Sequence, residues 1–260
     1  MSPQGIAMTI SIRQIYRYPV KGLTPEPRSE AHLTPGNAIP NDRRFALAPG
    51  STSFGSTLGE WMAKSSFLML MRNERLAQLE TAFDDEGETL TVRRGGRQVA
   101  KGVLSQPIGR TMIEDFFTAF LGDEAKGRVK LIEAADGHVM SDHPYPVISL
   151  INLASVSDME RVVGKPIDPR RFRGNFLIDG LDAWAEFDLC GKRLGIGDVV
   201  LEVTERIDRC GATNVNPETA ERDMNIPKDL QRGFGHIDCG VFTKVITGGT
   251  VRAGDPIIVL

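Results

Sequence analysis

What recurs along this chain is a short apolar or alternating run closed by Gly, Pro or Asn, with no regular strand–helix–strand alternation and no G-x-G-x-x-G. Punctuation of that kind favours β-strands joined by turns over a Rossmann-type parallel sheet. Over the first 105 residues the runs are Ile10 to Tyr18, Arg44 to Leu47, Phe67 to Met71, and a hairpin from Thr89 to Val92 that turns at Gly95-Gly96 into Val99. The pattern then changes: Ile113, Phe116, Phe117, Phe120 and Leu121 share one helical face and Gly122 stops it, predicting a helix over 111–121 and a domain boundary near 125. Beyond it, Pro146 to Ile151, Asn175 to Ile178, Val199 to Thr204, Val241 to Ile246 and Pro256 to Leu260 read as strands. Ser155-Val-Ser-Asp158 reads as a capping-type start of a helix ending at Gly164. The expectation is a mainly β protein with peripheral helices, in two domains, 8–125 and 126–260.

Composition narrows the function classes. A hydrophobic fraction of 41% and a charged fraction of 25% are ordinary for a folded chain of 260 residues. The net charge is -3, and the 31 basic residues are spread along the chain, so no nucleic-acid surface is expected. No apolar run approaches the roughly 20 residues of a membrane span, and the opening residues lack the apolar core of a signal peptide. Cys190, Cys210 and Cys239 are odd in number and widely spaced, which suits a reducing, cytoplasmic setting. Neither H-x-x-x-H nor H-E-x-x-H spacing relates His32, His138, His143 and His236, so no histidine is assigned to a metal.

The most distinctive chemistry lies at Arg209-Cys210, just past the run Val199 to Val203. A thiol at a strand end beside a permanent cation can be poised as a thiolate, a soft ligand for a soft or high-valent metal. Cys239, in Ile-Asp-Cys-Gly-Val-Phe, reads as a core strand residue, and Cys190 as part of a hairpin. Tyr18-Pro-Val-Lys21-Gly22, Asp42-Arg43-Arg44-Phe45 and Phe172-Arg173-Gly174-Asn175 each place cations at the edge of a strand. Taken alone, each reads as a solvated strand end; together they form a phosphate cradle, with guanidinium forks and a point charge. His143 reads as a turn residue before a strand, and Trp184 as core and rim or as a pocket wall.

The ordered set of Tyr-Pro-Val-Lys-Gly, Asp-Arg-Arg-Phe, Asn-Leu-Ala-Ser-Val (152–156), Phe-Arg-Gly-Asn, Ala-Trp-Ala-Glu (183–186), Ile-Gly-Asp (196–198), Arg-Cys and a closing Gly-Gly-Thr-Val-Arg-Ala-Gly-Asp resembles the MOSC family. These are molybdenum cofactor sulfurase C-terminal domains, often preceded by a smaller β-barrel-like domain. The amidoxime-reducing components are the functional relatives that the resemblance points to. It implies a molybdenum cofactor (molybdopterin with Mo) between two domains, with Cys210 as metal ligand and catalytic residue. Lys21, Gly22, Arg43, Arg173, Asn175 and Arg209 would hold the pterin or its phosphate, and Asp142 would make a polar contact. It also implies a small N-hydroxylated substrate and, since the sequence ends without a ferredoxin extension, a separate electron-donor protein of ferredoxin or flavin-reductase type. A pyridoxal phosphate association comes with it only at the level of the domain. Two other classes stay open: a sulfur-transfer or cofactor-carrier protein acting through Cys210, and a binding module without metal. The chain departs from the family's Val-Asp-Pro-x-Thr-Gly at Asn216 and Ala220, and carries Gly22 where some relatives have serine.

Overall fold

Alternation of buried and exposed positions builds the central sheet. Val199, Leu201 and Val203 face the core along the strand Val199–Asp208, as period 2 requires. In Ser11–Arg17 the inward residues are Ile12, Ile15 and Arg17, and the break in period falls where a bulge shifts the register against Phe176–Asp179. A computed structural model describes residues 9–54 and 59–260. The opening residues, from which no signal peptide is expected, and residue 8 of the first expected domain lie outside the described residues.

The large sheet has eight strands in the order Ile258–Val259, Arg193–Ile196, Val199–Asp208, Asp238–Thr247, Ile148–Asn152, Phe176–Asp179, Ser11–Arg17 and Glu26–Arg28. Asp255 and Ile257 in the C-terminal segment exchange backbone hydrogen bonds with Ile12 and Ile10, at 3.0 and 2.7 Å, which brings the two ends of this order together. The sheet therefore curls round a core of Ile12, Ile15, Leu150, Phe176, Leu201 and Val241, among others. Within the large sheet one pair is parallel, Phe176–Asp179 beside Ile148–Asn152, after a crossover through a helix. A second core lies under the first half: a three-stranded sheet (Glu80–Asp84, Thr89–Arg94, Arg97–Val103), helix α1 (Pro107–Leu121), and the pair Phe45–Ala48 with Lys130–Glu133. That last strand follows residue 125 in sequence yet pairs with Phe45–Ala48. The described residues are thus mainly strand with three peripheral α-helices, the others being α2 (Leu153–Val163) and α3 (Ile226–Phe234).

Two local expectations change. Phe67 to Met71 forms no strand: Phe67, Leu68 and Met69 are buried, but Leu68 N–H goes to Leu47 O (2.7 Å) and Met69 N–H to the Asn73 side chain (3.2 Å), so the run fills the core without a ladder. Helix α2 starts earlier than the Ser155 motif suggested. Asn152 caps it by accepting from Ala154 N–H at 3.1 Å. Ser155 instead donates to the buried Glu186 (2.8 Å), and Asp158 accepts from the Trp184 indole (2.8 Å).

Candidate functional site

Lys21, Gly22, Arg43, Asp142, Arg173, Asn175, Arg209 and Cys210 all line one cleft of about 760 Å³. Strand ends from both halves of the chain bring them there. Ser11–Arg17 leads into Lys21-Gly22, Val199–Asp208 leads into Arg209-Cys210, and a turn before Phe176–Asp179 supplies Arg173. Gly22 takes a positive φ of 82°, and a Cβ there would stand 3.2 Å from Leu68 O, so backbone is what this position offers.

Behind the basic end, fully buried and outside the cleft lining, is Tyr18, which sequence reading passed over. The guanidinium carbons of Arg43 and Arg173 both lie 4.5 Å from its ring centroid. Both arginines have left-handed backbone, with φ of 51° and 53°. Arg43 also donates to Arg173 O at 2.8 Å and pairs with Asp42, whose other oxygen accepts from Tyr18 N–H at 2.8 Å. Burial pushes the Tyr18 hydroxyl up to about 12 and pulls Arg173 down to about 10, with Arg43 adding repulsion to the latter. Arg173 donates to Leu23 O at 2.8 Å, and its second terminal nitrogen is buried without a partner among the described residues.

Lys21 sits beside them. Its ammonium is 2.5 Å from Asp142 Oδ1, yet burial holds it below the usual lysine range despite that partner. At Asp142 burial acts upward, but Lys21, with Lys64 and Arg43, outweighs it and holds the carboxyl below its usual range. Asn175 reaches the cleft with both ends of its amide engaged. Its oxygen accepts from Ser149 N–H (3.1 Å) and Oγ (2.9 Å), and its nitrogen donates to Tyr16 O (3.2 Å), tying neighbouring strands. Arg209 is likewise turned to the backbone: it donates to Cys239 O through Nε at 2.8 Å and to Phe172 O at 2.9 Å. Gly240 makes room for it, since a Cβ there would stand 2.4 Å from Leu150 O and 3.2 Å from the guanidinium.

Cys210 is half-buried and unpaired, and opens the turn Gly211–Asn214, its carbonyl accepting from Thr213 N–H (3.1 Å) and Oγ1 (2.9 Å). Cys239 lies in the strand Asp238–Thr247, fully buried, and burial raises its thiol to about 12. His143 is more than a turn residue: its Nε2 meets Glu205 Oε1 at 2.8 Å on the cleft wall, a pairing across 62 positions that no local motif signals. Trp184 packs against Phe187, Phe234 and His236 and stands outside the cleft lining.

A molybdenum cofactor fits these donors on chemical grounds. Among the described residues no three His, Cys, Asp or Glu side chains converge on a point where a bare ion would be caged. A metal beside Cys210 must therefore bring most of its ligands with it. The cations of the cleft outnumber its carboxylates, and the unpartnered nitrogen of Arg173 lacks the acceptor that an anionic oxygen supplies.

The comparisons with known proteins agree with that chemistry. A model of the MOSC N-terminal beta barrel domain matches residues 9–136, and one of the MOSC domain matches 138–258. Mitochondrial amidoxime reducing component 2 of Homo sapiens is 28% identical over 167 residues, 55% of this chain and 49% of that protein. Molybdenum cofactor sulfurase of Caenorhabditis elegans is 21% identical over 225 residues, 83% of this chain and 30% of that protein. The chain thus spans about half the length of these curated relatives, or less. The YuaD protein of Bacillus subtilis has a TM-score of 0.43 at 14% identity, covering 96% of this chain and 94% of that one, too loose a likeness to bear on the site. With the two domain models matched in order over nearly the whole chain, the chain belongs to the MOSC family.

Proposed function

We propose that this protein is a molybdenum-cofactor-dependent oxidoreductase that reduces small N-hydroxylated compounds, amidoximes or hydroxylamines, by removing one oxygen atom. The observation that carries the reading is the convergence of Cys210 with Lys21, Arg43 and Arg173 in a single cleft. Overall, an N–OH group, two electrons and two protons give N–H and water, the electrons coming from a separate donor protein of ferredoxin or flavin-reductase type. The bound cofactor supplies the two-electron chemistry.

This chain's own part is to bind, orient and balance charge. Arg43 and Arg173, held against Tyr18, present guanidinium donors to the anionic oxygens of the cofactor. Lys21 adds a point charge that Asp142 steadies. Cys210 gives one thiolate ligand, while Arg209 and Asn175 hold the strand ends that bear the clamp. The same reading puts the protein in the cytoplasm, a setting that keeps its cysteines as thiols.

A second reading, sulfur transfer or cofactor carriage through Cys210, is favoured by the alignment with molybdenum cofactor sulfurase, which covers 83% of the chain. Benzamidoxime reduction with an artificial electron donor separates the two. The wild type should turn over, and Cys210→Ala should lose more than the ~10–100-fold that deleting an outer-shell partner costs. A wild type that carries molybdenum and pterin yet reduces no N-hydroxylated compound would point to transfer or carriage.

A further inference from the structure

The turn that follows Cys210 has no regular ladder of its own, and one buried arginine grips it. Arg171, with only 2% of its side chain exposed, donates to the carbonyls of Thr213 (3.4 Å) and Asn214 (3.2 Å). The other end of its guanidinium is forked onto Asp223 at 2.7 and 2.8 Å. Asp223 in turn accepts from the side-chain amide of Asn216 at 2.9 Å. Asn216 also folds the loop back, its side-chain oxygen accepting from Glu218 N–H (2.9 Å) and its backbone exchanging bonds with Ala220 and Glu221. On the outer side, Arg222 donates to Gly211 O (3.4 Å), Leu70 O (3.1 Å), Met71 O (2.9 Å) and Glu74 (2.9 Å), fastening the same loop to the first half of the chain.

We propose that Asn216, Asp223 and Arg171 form a positioning relay that fixes the Gly211–Asn214 turn and thereby aims Cys210 into the cleft. The amide at 216 is what the relay requires. A carboxylate there would stand 2.9 Å from Asp223 with no proton between them, and would compete for the guanidinium that orders the turn. One carboxylate per buried guanidinium balances the charge; two do not. The relay rests on Cys210 being the working thiol of the cleft, and it holds for reduction and for sulfur transfer alike.

The test uses the cofactor-free full chain and the rate at which iodoacetamide alkylates Cys210, resolved by mass spectrometry, with Cys190 as the internal reference and thermal unfolding alongside. Asn216→Asp should change the Cys210 rate relative to Cys190 by about fivefold or more, the factor that roughly 1 kcal/mol makes in a local opening equilibrium. Combining it with Asp223→Asn, which restores one acid and one amide to the pair, should bring the rate back towards wild type. Asn216→Ala, which removes the donor without adding charge, should move it in the same direction by less, and serves if Asn216→Asp does not fold. An unchanged Cys210 rate in the folded single variants overturns the proposal, as does a double variant with no recovery. Parallel rises at Cys190 and Cys239 overturn it too, because they mark general loosening. Benzamidoxime turnover by the wild type, measured separately, tells failure of the reductase reading apart from failure of the relay.

Discussion

Arg173 is the cation with the least compensation in the cleft: buried, pulled down to about 10, close to a second guanidinium, and with one nitrogen unpartnered. Such an arrangement costs stability unless an anion completes it. Arg173→Ala should therefore raise the unfolding temperature of the cofactor-free protein or leave it unchanged, while lowering cofactor retention by ~10-fold or more, checked by scanning calorimetry and pterin release. Cys210→Ala, half-exposed at a turn, should change stability by less than about 1 kcal/mol while abolishing the proposed reduction. The cations and the thiol were legible in the sequence because each stands in a short motif at a strand end. Tyr18 was not, because a tyrosine in an apolar run reads as core, and its stacking with Arg43 and Arg173 joins residues 155 positions apart in sequence. Asp142 and His143 owe their positions to partners, Lys21 and Glu205, equally far from any local pattern.

Elements follow their patterns where a side chain has a face to bury and depart from them where a cap or a polar partner decides. The strands Val199–Asp208 and Asp238–Thr247 run past the expected Thr204 and begin before the expected Val241, because cross-strand pairing from Val200–Thr247 to Asp208–Asp238 continues through polar residues. Helix α2 starts at the Asn152 cap, and Phe67 to Met71 is buried without a ladder, two outcomes that tertiary contacts settle. The loop after Cys210 holds a strained residue: Ala220 has φ of 61° where the family often has glycine. Ala220→Gly should raise stability by about 0.5–1 kcal/mol, measured by denaturant unfolding, since glycine takes that backbone without the Cβ penalty. Alkaline pH bears on the fold at Tyr18 and Cys239. Both groups are raised in the folded state, to about 12 from ordinary values of 10.0 and 9.0, so the stability they confer is complete below pH 9. It is lost as pH climbs from 9 towards 12, while Arg173, lowered to about 10, acts in the opposite sense over the upper part of that range. Lys21, held below its usual range, opposes the fall between pH 9 and 10 as Arg173 does above it, so the contribution of Cys239 is read by difference: from pH 9 to 10, Cys239→Ala should lose less unfolding free energy than the wild type.

At the scale of the molecule the two halves are stitched together by strands rather than merely abutted. Ser11–Arg17 and Glu26–Arg28 belong to the large sheet, and Glu30–Leu33 pairs with Gly249–Arg252. Residues 138–260 expressed alone should therefore fail to fold stably, and the intact chain should unfold in one calorimetric transition; two resolved transitions would contradict this account. The mainly β class was readable from the short punctuated runs, but the curling of the sheet and the sharing of strands depend on pairings between residues 10–12 and 254–257 that leave no local trace. Both halves line the one cleft, and in the proposed function that cleft holds one anionic, metal-bearing group. Its most direct test is the molybdenum and pterin content of the wild type and of Arg173→Ala, both made in cells with cofactor synthesis intact. The wild type should carry close to one of each per chain and Arg173→Ala should lose both together; a wild type free of both, or a variant loaded as fully as the wild type, would contradict it.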